Sequence, residues 1–349
     1  MTIRVGMISP ITHAYDPAGY GPWERVTHDL TERLVADGVE VTLFAPAESN
    51  TNARLVATVP APLSQLEDAD ARLYETLHVA TAMEQASQGS FDVVHSHLHV
   101  HALPFAPLIG VPLVTTLHGA AWNKAHHPLL TRYCNAPFVS LSDREREFLP
   151  ELNYVATVAN GLDLAHFPLG SGRGDYLAFV GRMAPEKGPD IAVQVARQAG
   201  IELRLAGPVE DRHREFFDAF MRDAPGVEYV GPLSRSEVAT LVGHARALIM
   251  PLRWDEPFGL VVIESLAAGT PVIAWRRGAM PEIIEDRTTG FLVDDVASAV
   301  QAVSAVSTLD RRACRQSAEH RFSDARMARE YRRVYEALTS SPQAPHPRG

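Results

Sequence analysis

The sequence has 349 residues and a mass of 38.2 kDa, which is too long for one ordinary hydrophobic core and predicts about two domains. Hydrophobic residues make up 46% and charged residues 21%, and the net charge of -10 excludes the basic surface of a typical nucleic-acid-binding protein. Cys134 and Cys314 have no paired spacing, so neither a disulfide framework nor a zinc site is predicted.

Short apolar runs alternate with helical patterns along the first half of the chain. The segment 23–37 carries Val26, Leu30 and Leu34 at helical spacing. This alternation predicts parallel β-α-β units. The strands predicted in this half are 4–9, 40–45, 93–95, 113–117, 138–141 and 154–157.

The pattern restarts in the second half, after a Gly-rich polar segment at 168–175 that we interpret as an interdomain linker. The predicted architecture is two doubly wound α/β domains facing a cleft, with ligands outside the carboxyl ends of the strands. The strands predicted here are 176–181, 202–206, 227–231, 247–250, 272–274 and 290–293. The helices predicted are 187–199, 212–224, 236–244 and 325–338.

A segment that runs from Glu256 to Gly269 combines two acidic residues with an apolar run. Its order predicts a loop, a largely buried helix and then a strand. A buried carboxylate at Glu264 needs hydrogen-bond partners, and Glu256 lies beside a helix N-terminus that favours an anion such as phosphate. The segment therefore suits a sugar nucleotide. A capped helix with one satisfied core glutamate is the alternative.

Two cations stand at the mouth of another predicted helix. Arg182 follows the strand at 176–181, and Lys187 opens the helix. Cations placed after a strand predict a diphosphate clamp, and a solvated turn with surface charges is the alternative.

Three further residues stand at strand or helix ends. His118 follows the strand at 113–117, where it can donate to a sugar hydroxyl or fill a structural role. Asn160 belongs to an Asn-Gly turn at the domain junction. Gly21 lies in a loop before the first helix that could bind phosphate or acceptor. This loop is not GxGxxG, which gives dinucleotide binding little support.

Histidines alternate with other residues at His95, His97, His99 and His101. The strand is expected to end near His95, and no Asp or Cys clusters with them, so we interpret most of these histidines as loop residues and predict no metal site. Motifs of phosphate-loop nucleotidases and of nucleophile-elbow hydrolases are absent from the sequence. Neither a signal sequence nor an apolar run of bilayer length is found, so a cytoplasmic location is expected.

Together these motifs resemble glycosyltransferase family 4, the retaining enzymes with the GT-B fold. The resemblance covers most of the chain, and its most specific part is the E-x7-E segment that starts at Glu256. The other parts, in the family's order, are Gly21-Pro22-Trp23-Glu24-Arg25, Asp92-Val93-Val94-His95-Ser96-His97, Thr116-Leu117-His118-Gly119, Asn160-Gly161-Leu162-Asp163, Gly181-Arg182, Glu186-Lys187-Gly188 and Gly269-Thr270-Pro271-Val272.

The resemblance implies two Rossmann-like domains facing a central cleft. It implies an acceptor-side domain at 1–165 and a donor domain at 166–322. A helix at about 323–338 would pack back on the first domain, and the tail at 339–349 is expected to be disordered because it is rich in Pro and Ser.

The resemblance also implies roles for single residues. Arg182 and Lys187 would bind the donor diphosphate, and Glu264 would hold the ribose hydroxyls. Glu256 would contact the transferred sugar. The further implied contacts are the backbone amides of Gly259 and Leu260 beside Phe258, His118 at the donor sugar, Gly21 near the phosphates or acceptor, and Asn160 near the cleft.

The implied enzyme is a hexosyltransferase (EC 2.4) that moves a sugar from a nucleotide-diphosphate sugar to a hydroxyl by front-side displacement, without a metal or cofactor. A soluble sugar or metabolite is the expected acceptor, because the first helix has mixed charges and lacks the basic face of a membrane-surface helix. A sugar-nucleotide epimerase or hydrolase, or a non-catalytic binding protein, is the alternative.

Two residues depart from the family pattern. Pro22 replaces a glycine and removes a backbone donor from the first loop. Arg287 also replaces a glycine, where only a local change of the turn is expected.

Overall fold

The computed structural model describes residues 2–13, 21–67 and 70–340. The chain divides into two compact units. The first is Met1–Gly161 together with Asp324–Gly349, and the second is Leu162–Ser323.

The described residues of the first unit form a parallel sheet in the order β3-β2-β1-β4-β5-β6-β7. Its strands are β1 (Arg4–Ile8), β2 (Glu40–Pro46), β3 (Arg54–Val59), β4 (Val93–Ser96), β5 (Leu113–Thr116), β6 (Phe138–Ser140) and β7 (Tyr154–Thr157). Its helices are α1 (Pro22–Ala36), α2 (Ala71–Ser87), α3 (His127–Arg132), α4 (Asp143–Arg146) and α12 (Asp324–Ser340).

The second unit forms a parallel sheet in the order β10-β9-β8-β11-β12-β13. Its strands are β8 (Tyr176–Val180), β9 (Glu202–Ala206), β10 (Val227–Gly231), β11 (Ala247–Met250), β12 (Val272–Trp275) and β13 (Gly290–Val293). Its helices are α5 (Pro189–Ala199), α6 (Arg214–Met221), α7 (Arg235–His244), α8 (Leu260–Ala267), α9 (Met280–Ile283), α10 (Val296–Ala305) and α11 (Arg311–Arg321).

Both sheets are doubly wound, as the alternation of strands and helices predicted. The strand order reverses between β1 and β4 in the first unit and between β8 and β11 in the second. At such a reversal the chains leaving two neighbouring strands diverge, which opens a crevice at the carboxyl edge of the sheet. The sequence motifs after β1, β4, β8 and β11 therefore meet at these two edges.

Apolar burial explains most of the element boundaries. Val26, Leu30 and Leu34 form the buried face of α1, and Tyr331 and Tyr335 of α12 are completely buried in the first unit. Among the elements that were not predicted, β3 and α2 lack a clear apolar pattern. β3 is a half-exposed edge strand, and α2 buries His78 in its middle.

The interpretation of segment 168–175 as an interdomain linker is wrong. The backbone N–H of Gly170 donates to Ala268 O at 2.9 Å, and that of Gly174 donates to His244 O at 2.8 Å. The chain passes between units at 161–162 and 323–324 instead. The glycines of this segment let its backbone approach neighbouring backbone closely, and they do not mark a flexible linker.

The prediction that the tail is disordered from residue 339 is wrong for its first two residues. Thr339 and Ser340 belong to α12, and the rest of the segment lies outside the described residues. Arg287 has a left-handed φ of 63°, the conformation for which the family's glycine is suited. The expected local turn thus keeps the glycine-type backbone although the residue has changed.

Gly170→Ala should lower the free energy of unfolding by about 2 kcal/mol or more, because the new Cβ would lie 2.0 Å from Gly243 O. Chemical denaturation of the purified protein measures this loss. Gly110→Ala is the matched control, since its Cβ would meet no atom within 4 Å. Equal stability of the two variants would show that segment 168–175 is not packed.

Candidate active site

The turn that follows β8 and the loop that follows β11 are held together by backbone contacts. A Cβ on Gly188 would lie 2.1 Å from Pro251 O, so only glycine permits this approach. The backbone N–H of Arg253 donates to Glu186 O at 2.9 Å, and the Arg253 side chain pairs with Asp190. Lys187 on the turn is therefore fixed relative to Glu256 on the loop.

Lys187 and Glu256 form an ion pair in which both side chains are largely buried. The Trp254 indole N–H donates to the same Glu256 Oε2 at 3.0 Å, and Lys187 Nζ lies 4.8 Å from the centre of the Trp254 ring. One indole thus contacts both charged groups, through a hydrogen bond and a cation–π interaction. The sequence motifs did not indicate Trp254.

Arg182 is held between two carboxylates. Its guanidinium donates to Glu186 at 3.0 Å and to Glu210 at 3.1 Å, and Glu210 also pairs with Arg212. Desolvation raises the pKa of the Glu210 carboxyl, but the hydrogen bonds and positive charges of Arg212 and Arg182 together outweigh it, so this pKa is lowered. Both predicted clamp cations therefore have acidic partners within the second unit, which the sequence analysis did not identify.

The loop that carries Glu256 rests on a second close approach. A Cβ on Gly278 would lie 2.3 Å from both Glu256 N and Glu256 O, and the Ala279 N–H donates to Glu256 O at 2.9 Å. Gly259 then adopts a φ of 99° and precedes the first residue of α8, Leu260. The predicted turn–helix–strand order is confirmed, and the α8 N-terminus follows directly after the Glu256 turn.

Two other residues of this segment lie inside the second unit. Glu264 is 5% exposed, in a helix whose neighbouring Val262, Ile263 and Leu266 are completely buried. The Phe258 ring is 3% exposed and packs edge-to-face against Phe322. We therefore assign Phe258 to the core, where it supports the loop, rather than to a ligand-contacting surface.

In the first unit, His118 and Gly119 form a left-handed turn after β5. Their φ angles are 48° and 88°. The buried Glu145 carboxylate accepts the Gly119 N–H at 2.6 Å and the Leu141 N–H at 2.8 Å. Glu145 thus fixes the turn that orients His118, and no motif in the sequence indicated it.

His95 lies in the strand β4 and His97 lies after its end, as predicted. Both side chains are completely buried. His97 Nδ1 and His118 Nε2 share a hydrogen bond of 2.8 Å, which joins the ends of β4 and β5. Around His95, Nδ1 bonds Tyr335 OH at 2.7 Å and Nε2 bonds Thr116 Oγ1 at 2.8 Å.

Burial keeps these imidazoles neutral. Desolvation lowers the pKa of His95 to about 3, and the nearby His118 lowers it further. Desolvation also holds the pKa values of His97 and His118 well below the ordinary value, with each imidazole adding to the effect on a neighbour. His118 is therefore an uncharged hydrogen-bonding group near neutral pH.

The loop before α1 and the Asn-Gly turn at the domain junction were also predicted to contribute ligand contacts. Gly21 has a φ of 143°, and a Cβ there would lie 2.8 Å from Glu24 Oε2. Pro22 is the first residue of α1, a position where its missing N–H costs nothing. Asn160 is buried, and its backbone carbonyl accepts from the Arg326 guanidinium at 3.1 Å. Most of the preceding loop, including Gly19, lies outside the described residues.

The described residues contain neither a cluster of metal ligands nor a membrane-spanning helix. No cluster of three or more His, Cys, Asp or Glu side chains there has the geometry to hold a metal ion. None of the helices in the same residues has the length and apolar character needed to cross a bilayer.

Two family models match consecutive parts of the chain. The model described as Glycosyltransferase Family 4 matches residues 23–166, and the model described as Glycosyl transferases group 1 matches residues 165–321. The D-inositol 3-phosphate glycosyltransferase of Mycolicibacterium smegmatis is 30% identical, over 90% of this chain and 86% of that protein. The chain belongs to the family 4 glycosyltransferases. The predicted family and the predicted enzyme class, EC 2.4, are thus confirmed.

Solved structures show the fold of this family 4 glycosyltransferase. Sucrose-phosphate synthase from Thermosynechococcus elongatus aligns with a TM-score of 0.79 and 20% identity, over 97% of this chain and 100% of that chain. Anabaena HepE in complex with UDP-glucose aligns with a TM-score of 0.74 and 16% identity, over 96% and 100%. The predicted GT-B fold is confirmed.

The stability of this glycosyltransferase should fall as the pH falls below about 6.5. The folded-state pKa values of the buried histidines lie below the unfolded value of about 6.5, so the unfolded state binds more protons in acid. Each buried histidine adds a slope of at most about 1.4 kcal/mol per pH unit. Thermal unfolding between pH 8 and pH 4.5 measures the effect.

His78→Gln should flatten this dependence, because desolvation lowers the pKa of His78 to about 4. His320→Gln, at an exposed position, is the matched control and should keep the wild-type dependence. A Tm that does not change with pH in the wild-type protein would contradict the assignment.

Proposed function

We propose that the protein is a retaining glycosyltransferase that transfers a sugar from a nucleotide-diphosphate sugar to a hydroxyl acceptor. The observation that carries the proposal is the buried contact between Lys187 and Glu256, which joins the loops of β8 and β11 at the strand-order reversal of the second unit. A ligand at this edge meets a cation and a carboxylate side by side. The nucleotide sugar is supported by the UDP-glucose complex of Anabaena HepE.

The proposed donor would replace the internal partners of the two cations. Its diphosphate competes with Glu256 for Lys187, and with Glu186 and Glu210 for Arg182. Released from Lys187, the Glu256 carboxylate can accept from hydroxyls of the transferred sugar. Internal pairing thus keeps the charges oriented until the donor binds.

Glu264 on α8 is proposed to hold the ribose, and the Gly259 and Leu260 amides to bind beside the sugar. His118 would offer a neutral ring to the donor sugar. In the same proposal Asn160 and Gly21 complete the contacts made by the first unit.

The proposed reaction is a front-side displacement. The bond between the anomeric carbon and the phosphate oxygen breaks, and the acceptor oxygen bonds to the same face of that carbon. The acceptor proton passes to the departing diphosphate. Arg182 and Lys187 stabilise the negative charge that develops there, which is the contribution that a metal would otherwise make.

The proposal also includes the class of acceptor and the location of the protein. The related proteins are named for different acceptors, and the D-inositol 3-phosphate glycosyltransferase supports a small soluble polyol as the acceptor class. A cytoplasmic location is supported by the two cysteines, since both Cys134 and Cys314 are free.

Lys187→Ala and Glu256→Ala should each reduce kcat/KM by at least about a hundredfold, because each removes charge aligned with the reacting groups. A panel of nucleotide sugars, screened first by thermal stabilisation of the wild-type protein, supplies the donor. Product release and anomeric configuration are then followed by NMR. Arg197→Ala removes an exposed cation from α5 and is the matched control.

Three results would contradict the proposal. The first is normal turnover in both variants. The second is donor conversion that needs no acceptor, as expected of an epimerase or hydrolase. The third is donor binding without turnover over a broad acceptor panel.

Trp254→Phe should reduce kcat/KM by about tenfold while Tm stays unchanged. Phenylalanine keeps a ring beside Lys187 but cannot donate to Glu256, and a hydrogen bond to a charged group contributes about 1.5–3 kcal/mol. Steady-state kinetics of the variant measure the loss, and Trp254→Ala, which removes both contacts, should lose more. Equal activity of wild type and Trp254→Phe would show that the indole N–H does not position Glu256.

A further inference from the structure

Trp23 is an exposed aromatic residue at the ligand-binding edge of the first sheet. It is the second residue of α1, the helix that follows β1, and it is 40% exposed. β1 and β4 are the neighbours between which the strand order reverses. A large apolar side chain that is exposed at such an edge is a candidate ligand contact.

Imidazole rings surround the indole. The His99 ring lies edge-to-face with Trp23 at a centroid distance of 4.6 Å, and the His118 ring lies at 6.3 Å. His126 extends the group, with its ring 5.4 Å from that of His99. The residues come from the chain segments after β1, β4 and β5, so three loops converge on one aromatic cluster.

The backbone is strained at two of these residues. Among the described residues other than glycine, φ is positive at His99 (46°), His118 (48°) and Arg287 (63°). The left-handed conformation costs a non-glycine residue about 1–2 kcal/mol. Two of these three positions hold a ring against Trp23. Strain that is kept in this way is typical of a functional site.

We propose that the exposed face of Trp23, with His99 and His118 at its rim, binds the acceptor, and that the acceptor is a six-membered polyol ring, either a saccharide or a cyclitol. This inference rests on the proposed function, because it identifies the acceptor of that reaction. The C–H face of such a ring carries partial positive charge and stacks on the negative face of an indole. Its equatorial hydroxyls point outward, toward groups that donate and accept hydrogen bonds.

The rim distinguishes a polyol from a lipid. His118 Nδ1 has no hydrogen-bond partner among the described residues, and the exposed Asn123 and Lys124 precede His126 in the same segment. An acyl chain gains from a continuous apolar surface, whereas this surface alternates one indole with polar groups. The contact between Trp23 and His118 also puts the stacked ring next to the residue proposed to meet the donor sugar, where a transferred sugar has to arrive.

Kinetics with separate donor and acceptor readouts test the proposal. UDP-glucose, UDP-N-acetylglucosamine and GDP-mannose serve as donors. D-glucose, maltotriose, myo-inositol and D-inositol 3-phosphate serve as ring acceptors, and diacylglycerol in phosphatidylglycerol vesicles serves as a lipid acceptor. We expect transfer to at least one ring acceptor. Trp23→Ala should raise the KM of that acceptor at least tenfold, with a smaller rise in Trp23→Phe.

The Kd of UDP should be the same in Trp23→Ala as in wild type, because the proposed role of Trp23 is confined to the acceptor. Leu108→Ala is the matched control, since it removes another exposed apolar side chain from the first unit. An acceptor KM within twofold of wild type in Trp23→Ala, or transfer to diacylglycerol alone, would overturn the inference. Absence of UDP binding, or of transfer to every acceptor tested, in the wild-type protein would instead overturn the proposed function, and the acceptor assignment with it.

Discussion

The close approach of two backbones around Lys187 and Glu256 is the constraint on which the donor-side site depends. The two residues are far apart in the chain, and their strands are neighbours only because the sheet order reverses between β8 and β11. Glycines at positions 188 and 278 then let the connecting loops touch. Opposite charges are brought into contact by the topology, and their mutual neutralisation offsets the cost of burying them.

Regular burial made most of the fold predictable. Strands such as β8 and β11 are short apolar runs between polar turns, and α1 carries one apolar face, so periodicity alone locates them. β3 and α2 were not predicted. β3 is only partly buried, and the burial of α2 includes a hydrogen-bonded histidine. His78 occupies a core position since Thr58 and Ser9 satisfy its two ring nitrogens. Hydrogen bonds of this kind cannot be predicted from a pattern of apolar residues.

The candidate site was predictable only where the chemistry is local. Arg182, Lys187, Glu256 and Glu264 lie in short segments whose order along the chain carries the information. The residues that support the site are not indicated by any such segment. Trp254 acts through an indole that also fits an ordinary loop, and Glu145 reaches the turn at Gly119 from 26 residues away. The glycines at 168–175 show the same limit, since composition does not distinguish a flexible segment from a tightly packed one.

The two units differ in the charge of their site residues, and this difference matches the chemistry of the proposed substrates. In the second unit, the site residues Arg182 and Lys187 are cations paired with carboxylates, and cations suit an anionic diphosphate. In the first unit, burial removes the charge from His95 and His118, which leaves hydrogen-bonding groups of low charge. A neutral hydroxyl gains little from a full charge and is oriented well by a fixed imidazole. Positioning without charge is therefore what an acceptor-side surface requires, because the leaving diphosphate, and not the protein, takes the acceptor proton in the proposed reaction.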